Sequence, residues 1–175
     1  MNLLDRSLVV TNVNYEFAGL PLHVLLVHAV VILMPLAAIA VVLHAILPAA
    51  RRRLGAVTPI AALIVLVLVP ITVAAGEHLK TLVVVTPAVE RHEELGRTLL
   101  PWAIALFVVA VADWVWFRFF VGPTSELQVS SMLRRVVLIV LIVASVVVAT
   151  GSIVDVVLIG EAGSRAVWGG LVGAG

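Results

Sequence analysis

"GLPLHVLLVHAVVILMPLAAIAVVLHAILP", residues 19–48, decides the fold. From Pro21 to Leu47 it carries no charged residue, and about 20 consecutive apolar residues are enough to cross a bilayer as a helix. It also carries His23, His28 and His44. An ionisable group in hydrocarbon is costly, so these histidines raise the question of what they bind.

Three further stretches match it. They are Val57–Gly76, Leu99–Val121 and Val136–Ile159. The Val/Ile runs have strand-like composition, but segments this long must satisfy every backbone group internally when surrounded by lipid, which makes them helices. The expected fold is all-α, a transmembrane antiparallel four-helix bundle with spans at about 21–47, 57–76, 99–121 and 136–159. Residues 1–18 form an extracytoplasmic tail in this reading, 19–160 the four-span domain, and 161–175 a Gly-rich tail placed to fold over the outer mouth. Pro21 and Pro101 fall in or near first turns, where a missing N–H is harmless, while Pro35 and Pro70 predict kinks.

Composition narrows the chemistry. Of 175 residues, 63% are hydrophobic and 12% charged, unlike a soluble domain. There is no cysteine, which removes disulfides, thiolate catalysis and iron–sulfur ligation by this chain. The net charge of +1 offers no basic tract for a nucleic acid. Residues 1–18 hold Asp5, Arg6, Asn12, Asn14 and Glu16 with no clean apolar core, so the first span reads as an uncleaved anchor. Nothing resembles a phosphate loop, a Ser/His/Asp arrangement or HExxH.

Short connections make neighbouring spans antiparallel. One side gathers Arg51, Arg52, Arg53, Arg118, Arg134 and Arg135; the other has Arg6, Lys80, Arg91, Arg97 and Arg165. The clustered Arg51–Arg53 side is expected to be cytoplasmic, which puts both termini outside a bacterial inner membrane. Trp114, Trp116, Phe117, Phe119 and Phe120 form an aromatic belt at the same inner level. The opposite level collects His23, His28, Glu77, His78, Glu90, His92, Glu93, Glu94, Asp155 and Glu161.

The histidines differ in depth and direction. At about 1.5 Å per residue, His28 lies roughly 10 Å below Pro21, inside the apolar layer, whereas His23 is at headgroup level. Five residues turn a helix by about 140°, so the two do not share a face. His28 is therefore the preferred ligand, with His23 at the rim. His92 falls on the apolar side of a short helix across "TPAVERHEELGRTLL", residues 86–100, and His78 follows the small residues Ala74 and Ala75. Asp155 is placed to orient a ligating imidazole. Asp113, deep in span three, is a candidate proton relay, and His44 reads as an inner-interface residue. Ser145, Ala149 and Ser152 make a small polar stripe suited to close packing.

The stretch Gly19–His28 resembles the opening motif of a widespread bacterial membrane domain, domain of unknown function 2231, with pattern Gly-x-Pro-x-His-Pro-x-Leu-Val-His. Gly19, Pro21, His23, Leu26, Val27 and His28 match. Gly160 and Gly163 are similar to its ending. Val24 replaces the usual proline, and Ala29 stands where Phe-Pro is common. Some members are joined to Rieske-type iron–sulfur domains, so the resemblance implies a redox setting.

Three functions follow as expectations. The first is an electron-transfer protein in which His28, with His78 or His92 and with His23 nearby, holds a b-type haem, or copper or zinc in its place. The second is a non-catalytic accessory or assembly subunit of a respiratory or envelope membrane complex, or a homo-oligomer. The third is a small carrier or channel in which Asp113, His44 and the outer histidines mark a polar path. Whether the chain is an enzyme stays open at this point.

Overall fold

The computed structural model describes residues 16–17, 19–121 and 130–172. The N-terminal tail and most of the loop joining the last two spans lie outside the described residues. The element order is β1 (Glu16–Phe17), β2 (Leu20–Pro21), α1 (Leu22–Ile46), α2 (Pro48–Leu54), α3 (Val57–Lys80), α4 (Pro87–Val115), a π-helical turn (Trp116–Phe120) and α5 (Ser131–Val172). β1 and β2 form a minimal antiparallel hairpin. Gly19 turns it at φ +77°, a conformation that side chains rarely adopt.

Four helices are long and apolar enough to cross a membrane. Their outward faces carry side chains such as Ile32, Leu36, Ile60, Val67, Val108, Val140 and Val157, all exposed. An apolar surface this continuous belongs against lipid. The chain is an all-α, multi-pass membrane protein.

Local chemistry sets the helix ends. Arg51 of α2 folds back, its Nε donating to the His44 carbonyl at 2.8 Å and its Nη2 to that of Ala45 at 2.5 Å. It thereby satisfies the last carbonyls of α1. Gly55, at φ +44°, ends α2 so that α3 can start. Thr86 caps α4 by accepting from the Val89 amide at 3.3 Å, with Pro87 at the first helical position.

Several sequence expectations change. The helix holding His92 is not a separate element: α4 begins at Pro87 and runs into the third span, so Pro101 lies inside it. Pro35 and Pro70 lie inside α1 and α3, where the sequence put them. The Gly-rich segment after Ile159 does not fold over the mouth; α5 continues through it to Val172. Gly160 and Gly163 lie within this helix, Gly163 with the His92 ring close against it.

The four long helices form a tandem repeat. A step of 69 residues, from 23 to 92, carries α1 onto α4, and a step of 87, from 58 to 145, carries α3 onto α5. The buried positions coincide under these two steps. Val30, Met34, Ala37, Val41 and His44 of α1 correspond to Leu99, Ala103, Leu106, Ala110 and Asp113 of α4, all buried. Thr58, Ala62, Val65, Val69, Thr72 and Ala75 of α3 correspond to Ser145, Ala149, Ser152, Val156, Ile159 and Ala162 of α5, again all buried. Packing follows the same rule. α1 packs on α3 as α4 packs on α5, and α3 meets α4 as α5 meets α1. The bundle thus has a pseudo-two-fold axis along its length, of the parallel-repeat kind.

Candidate functional site at the His23–His92 end

Two imidazoles meet on that axis. The rings of His23 and His92, equivalent residues of the two repeats, have centroids 6.2 Å apart and planes at 77°. Each is held in the same way by the other helix of its own repeat. His23 Nδ1 donates to the Thr72 carbonyl at 3.0 Å, and His92 Nδ1 donates to the Ile159 carbonyl at 3.1 Å. Thr72 and Ile159 are themselves equivalent positions. A carbonyl oxygen only accepts, so each neutral ring carries its proton on Nδ1 and keeps the lone pair on Nε2. Among the described residues neither Nε2 has a hydrogen-bond partner.

A glycine makes room for each ring. A Cβ on Gly76 would stand 2.9 Å from His23 Cε1 and Nδ1, and one on Gly163 would stand 3.0 Å from His92 Cε1. Each glycine lies one turn beyond the carbonyl that its histidine bonds, and the two glycines are equivalent under the 87-residue step. The ring therefore lies directly on helix backbone, a close approach that only a small residue allows.

The rings open onto a cavity of about 380 Å³. Its wall is largely apolar and is built from equivalent pairs, among them Val24 and Glu93, Val27 and Gly96, Val30 and Leu99, Val69 and Val156, and Leu79 and Ala166. Val83 and Val84, from the α3–α4 connection, add to the lining. The polar rim is an ion-pair chain: Lys80 to Glu93 at 2.5 Å, Glu93 to Arg97 at 2.7 Å, and Arg97 to Glu77 at 3.1 Å.

The other expected ligands lie elsewhere. His28 is exposed on the outside of α1 and donates Nδ1–H to the Val24 carbonyl of its own helix at 2.6 Å. The preferred pairing of His28 with His78 or His92 is not assembled in this cavity. The turn between residues 23 and 28 sends the shallower histidine inward, and the deeper one faces lipid. His78 is exposed and does not line the cavity. Asp155 is buried, but its carboxylate accepts from Thr98 Oγ1 at 2.8 and 3.0 Å rather than from an imidazole. At the opposite end, His44 and Asp113 are buried beside the hydroxyls of Thr58 and Ser145. Among the described residues, no group of three or more His or acidic side chains is arranged to hold a metal ion.

Span hydropathy and residue depth do not single out Gly76, Gly163, Thr72 or Ile159. The signal that finds them is the repeat: "HVLL" against "HEEL" at 23 and 92, and "AAGEH" against "EAGSR" at 74 and 161. Comparison with protein-family models, with curated proteins and with solved structures finds no match for this chain.

Proposed function

We propose that this is a membrane electron-transfer protein holding a b-type haem between His23 and His92, in the cavity on the pseudo-two-fold axis. The observation that carries this reading is the matched pair of imidazoles, each with Nδ1–H tied to a backbone carbonyl and Nε2 left free. Such a bond to the far ring nitrogen fixes the orientation of a ligating histidine. An ion about 2.0–2.1 Å from a ring nitrogen lies roughly 3 Å from that ring's centroid, so two rings sharing it are up to about 6 Å apart. The 6.2 Å separation agrees.

The number of ligands favours haem over a bare ion. Two imidazoles complete the coordination of a porphyrin iron. A structural zinc takes four protein ligands and a catalytic one three, and among the described residues no group of three or more His or acidic side chains is arranged to hold an ion. The apolar wall suits a macrocycle, and Lys80 at the rim is placed to meet an acidic substituent. Bound there, the group would carry one electron between a membrane-soluble donor and an acceptor at that surface. We read the chain as a member of the 2231 family on the Gly19–His28 motif. The Arg51–Arg53 cluster supports a bacterial inner membrane location with the His23–His92 end outside.

A reduced-minus-oxidised visible spectrum of detergent-purified protein, with metal analysis of the same sample, tests the proposal. Sharp α and β bands are expected, lost in His23→Ala and in His92→Ala but kept in His28→Ala and His78→Ala. A featureless spectrum with stoichiometric copper or zinc, lost in the same two variants, would replace haem by an ion at the same site. A colourless and metal-free protein from cells replete in both would overturn the redox reading and leave an accessory subunit.

A further inference from the structure

The repeat that pairs His23 with His92 makes a second pair at the other end of the bundle. Counting 21 residues along α1 from His23 reaches His44, and the same step along α4 from His92 reaches Asp113. Each sits beside the hydroxyl that its own repeat supplies. Thr58 Oγ1 is 3.4 Å from His44 Nδ1, and Ser145 Oγ donates to Asp113 Oδ2 at 3.0 Å. The outer pair keeps the same chemistry in both repeats. The inner pair has diverged into a base and an acid.

Burial makes this divergence costly. His44 is 2% exposed and Asp113 is 0% exposed. Yet His44 Nε2 and Asp113 Oδ1 have no hydrogen-bond partner among the described residues, and neither has the buried Nε1 of Trp116 in the adjoining turn. An unsatisfied buried polar group costs about 1–3 kcal/mol. Trp116 follows Asp113 by three residues and His44 is the repeat counterpart of Asp113, so the three atoms gather at one end of the bundle. They are the donor and acceptor set a buried water requires, two to four polar partners.

Among the described residues, two arginines act on the pair or on its neighbour. Arg51 of α2 is within electrostatic reach of both His44 and Asp113, and Arg134 of α5 acts on Arg51 in turn. Arg51 makes no ion pair with Asp113. Its guanidinium caps α1 and lies 3.5 Å over the Phe117 ring, whose centroid is 5.9 Å from that of His44. Arg51 and Phe117 therefore stand between the pair and the Arg-rich surface.

We propose that His44 and Asp113 form a hydrated protonation site that exchanges a proton with the aqueous phase at the Arg51–Arg53 end. The proton arrives on water, resides on Asp113 Oδ1 or His44 Nε2, and leaves to water; no electron moves and no co-reactant is needed. Buried Met34, Val41, Val65 and Leu106 fill the bundle between this site and the His23–His92 cavity, so exchange is with one side only. This inference stands whether or not the cavity holds haem.

Infrared difference spectra between pH values, recorded on protein reconstituted in lipid vesicles in H2O and in D2O, test it. A carboxylic C=O band is expected that titrates, shifts in D2O and is absent in Asp113→Asn. In His44→Gln its midpoint should move by about half a pH unit or more, on the order of 3-fold in proton affinity. A band that never titrates, that is unmoved by D2O, or whose midpoint ignores His44→Gln would overturn the proposal. The wild-type titration and its isotope shift do not depend on either variant folding.

Discussion

If the proposed haem is held by His23 and His92, replacing Gly76 or Gly163 by alanine is expected to loosen it while leaving the bundle folded. The new Cβ would lie 2.9 Å from two atoms of the His23 ring, or 3.0 Å from Cε1 and 3.2 Å from Nδ1 of His92. Carbon atoms rest at about 3.5–4.0 Å, so each ring must retreat by roughly half an ångström. The Nδ1 bonds to Thr72 and Ile159 are 3.0 and 3.1 Å long. After that retreat they stand near 3.5 Å, where a hydrogen bond is effectively gone. Losing one costs about 0.5–1.5 kcal/mol of stability. Alanine returns about 0.8–1.0 kcal/mol over glycine in helix propensity, so the net change in stability is close to zero. Cofactor affinity has no such offset. Losing the partner that orients a ligating histidine typically costs about 10–100-fold, or about 1.4–2.7 kcal/mol. The assay is titration of cofactor-free protein with haem, read from the Soret band, beside a thermal melt of the same sample. Wild-type affinity in both variants would refute the reasoning, because the imidazole pose would then not matter. Collapse of the melt would refute it differently, by showing that the glycines serve packing alone.

Other perturbations probe the bundle itself. Gly151→Ala places a Cβ 2.1 Å from the Trp102 ring, an overlap that a bulky indole wedged between helices cannot relieve cheaply. We expect a loss of about 1–3 kcal/mol, measured by denaturant unfolding in detergent. Thr98→Val removes the hydroxyl that donates to the buried Asp155 carboxylate and should cost about 1–3 kcal/mol in the same assay, with little change in the visible spectrum. Arg51→Met strips the cap from His44 and Ala45; charge-assisted bonds of this kind contribute about 1.5–3 kcal/mol, and exchange of the last α1 amides should rise. Glu93→Gln breaks a partly exposed ion-pair chain at the rim, so its melting midpoint should approach that of the wild type in high salt.

Much of this protein is legible in one dimension, because lipid is a demanding solvent. Four apolar stretches separated by short polar loops can only be helices that satisfy their own backbones, and short loops make them antiparallel. The level at which each histidine sits follows from counting residues along a helix. Direction does not. His23 and His28 are about 140° apart on α1, and composition cannot say which faces inward, because the outer face of a membrane helix is as apolar as its inner one. Helix rotation is decided by what the neighbours present, here the bare backbone at Gly76 and Gly163 and the carbonyls of Thr72 and Ile159 that each accept from an imidazole. The repeat is written in the sequence too, as matching 69- and 87-residue steps. It is masked because the core tolerates any apolar residue of suitable volume, so Ala103 stands at the position equivalent to Met34 and Leu99 at that equivalent to Val30. Only packing in three dimensions brings the two half-sites within 6.2 Å of each other across the axis, since the residues that meet there are separated along the chain by two membrane crossings.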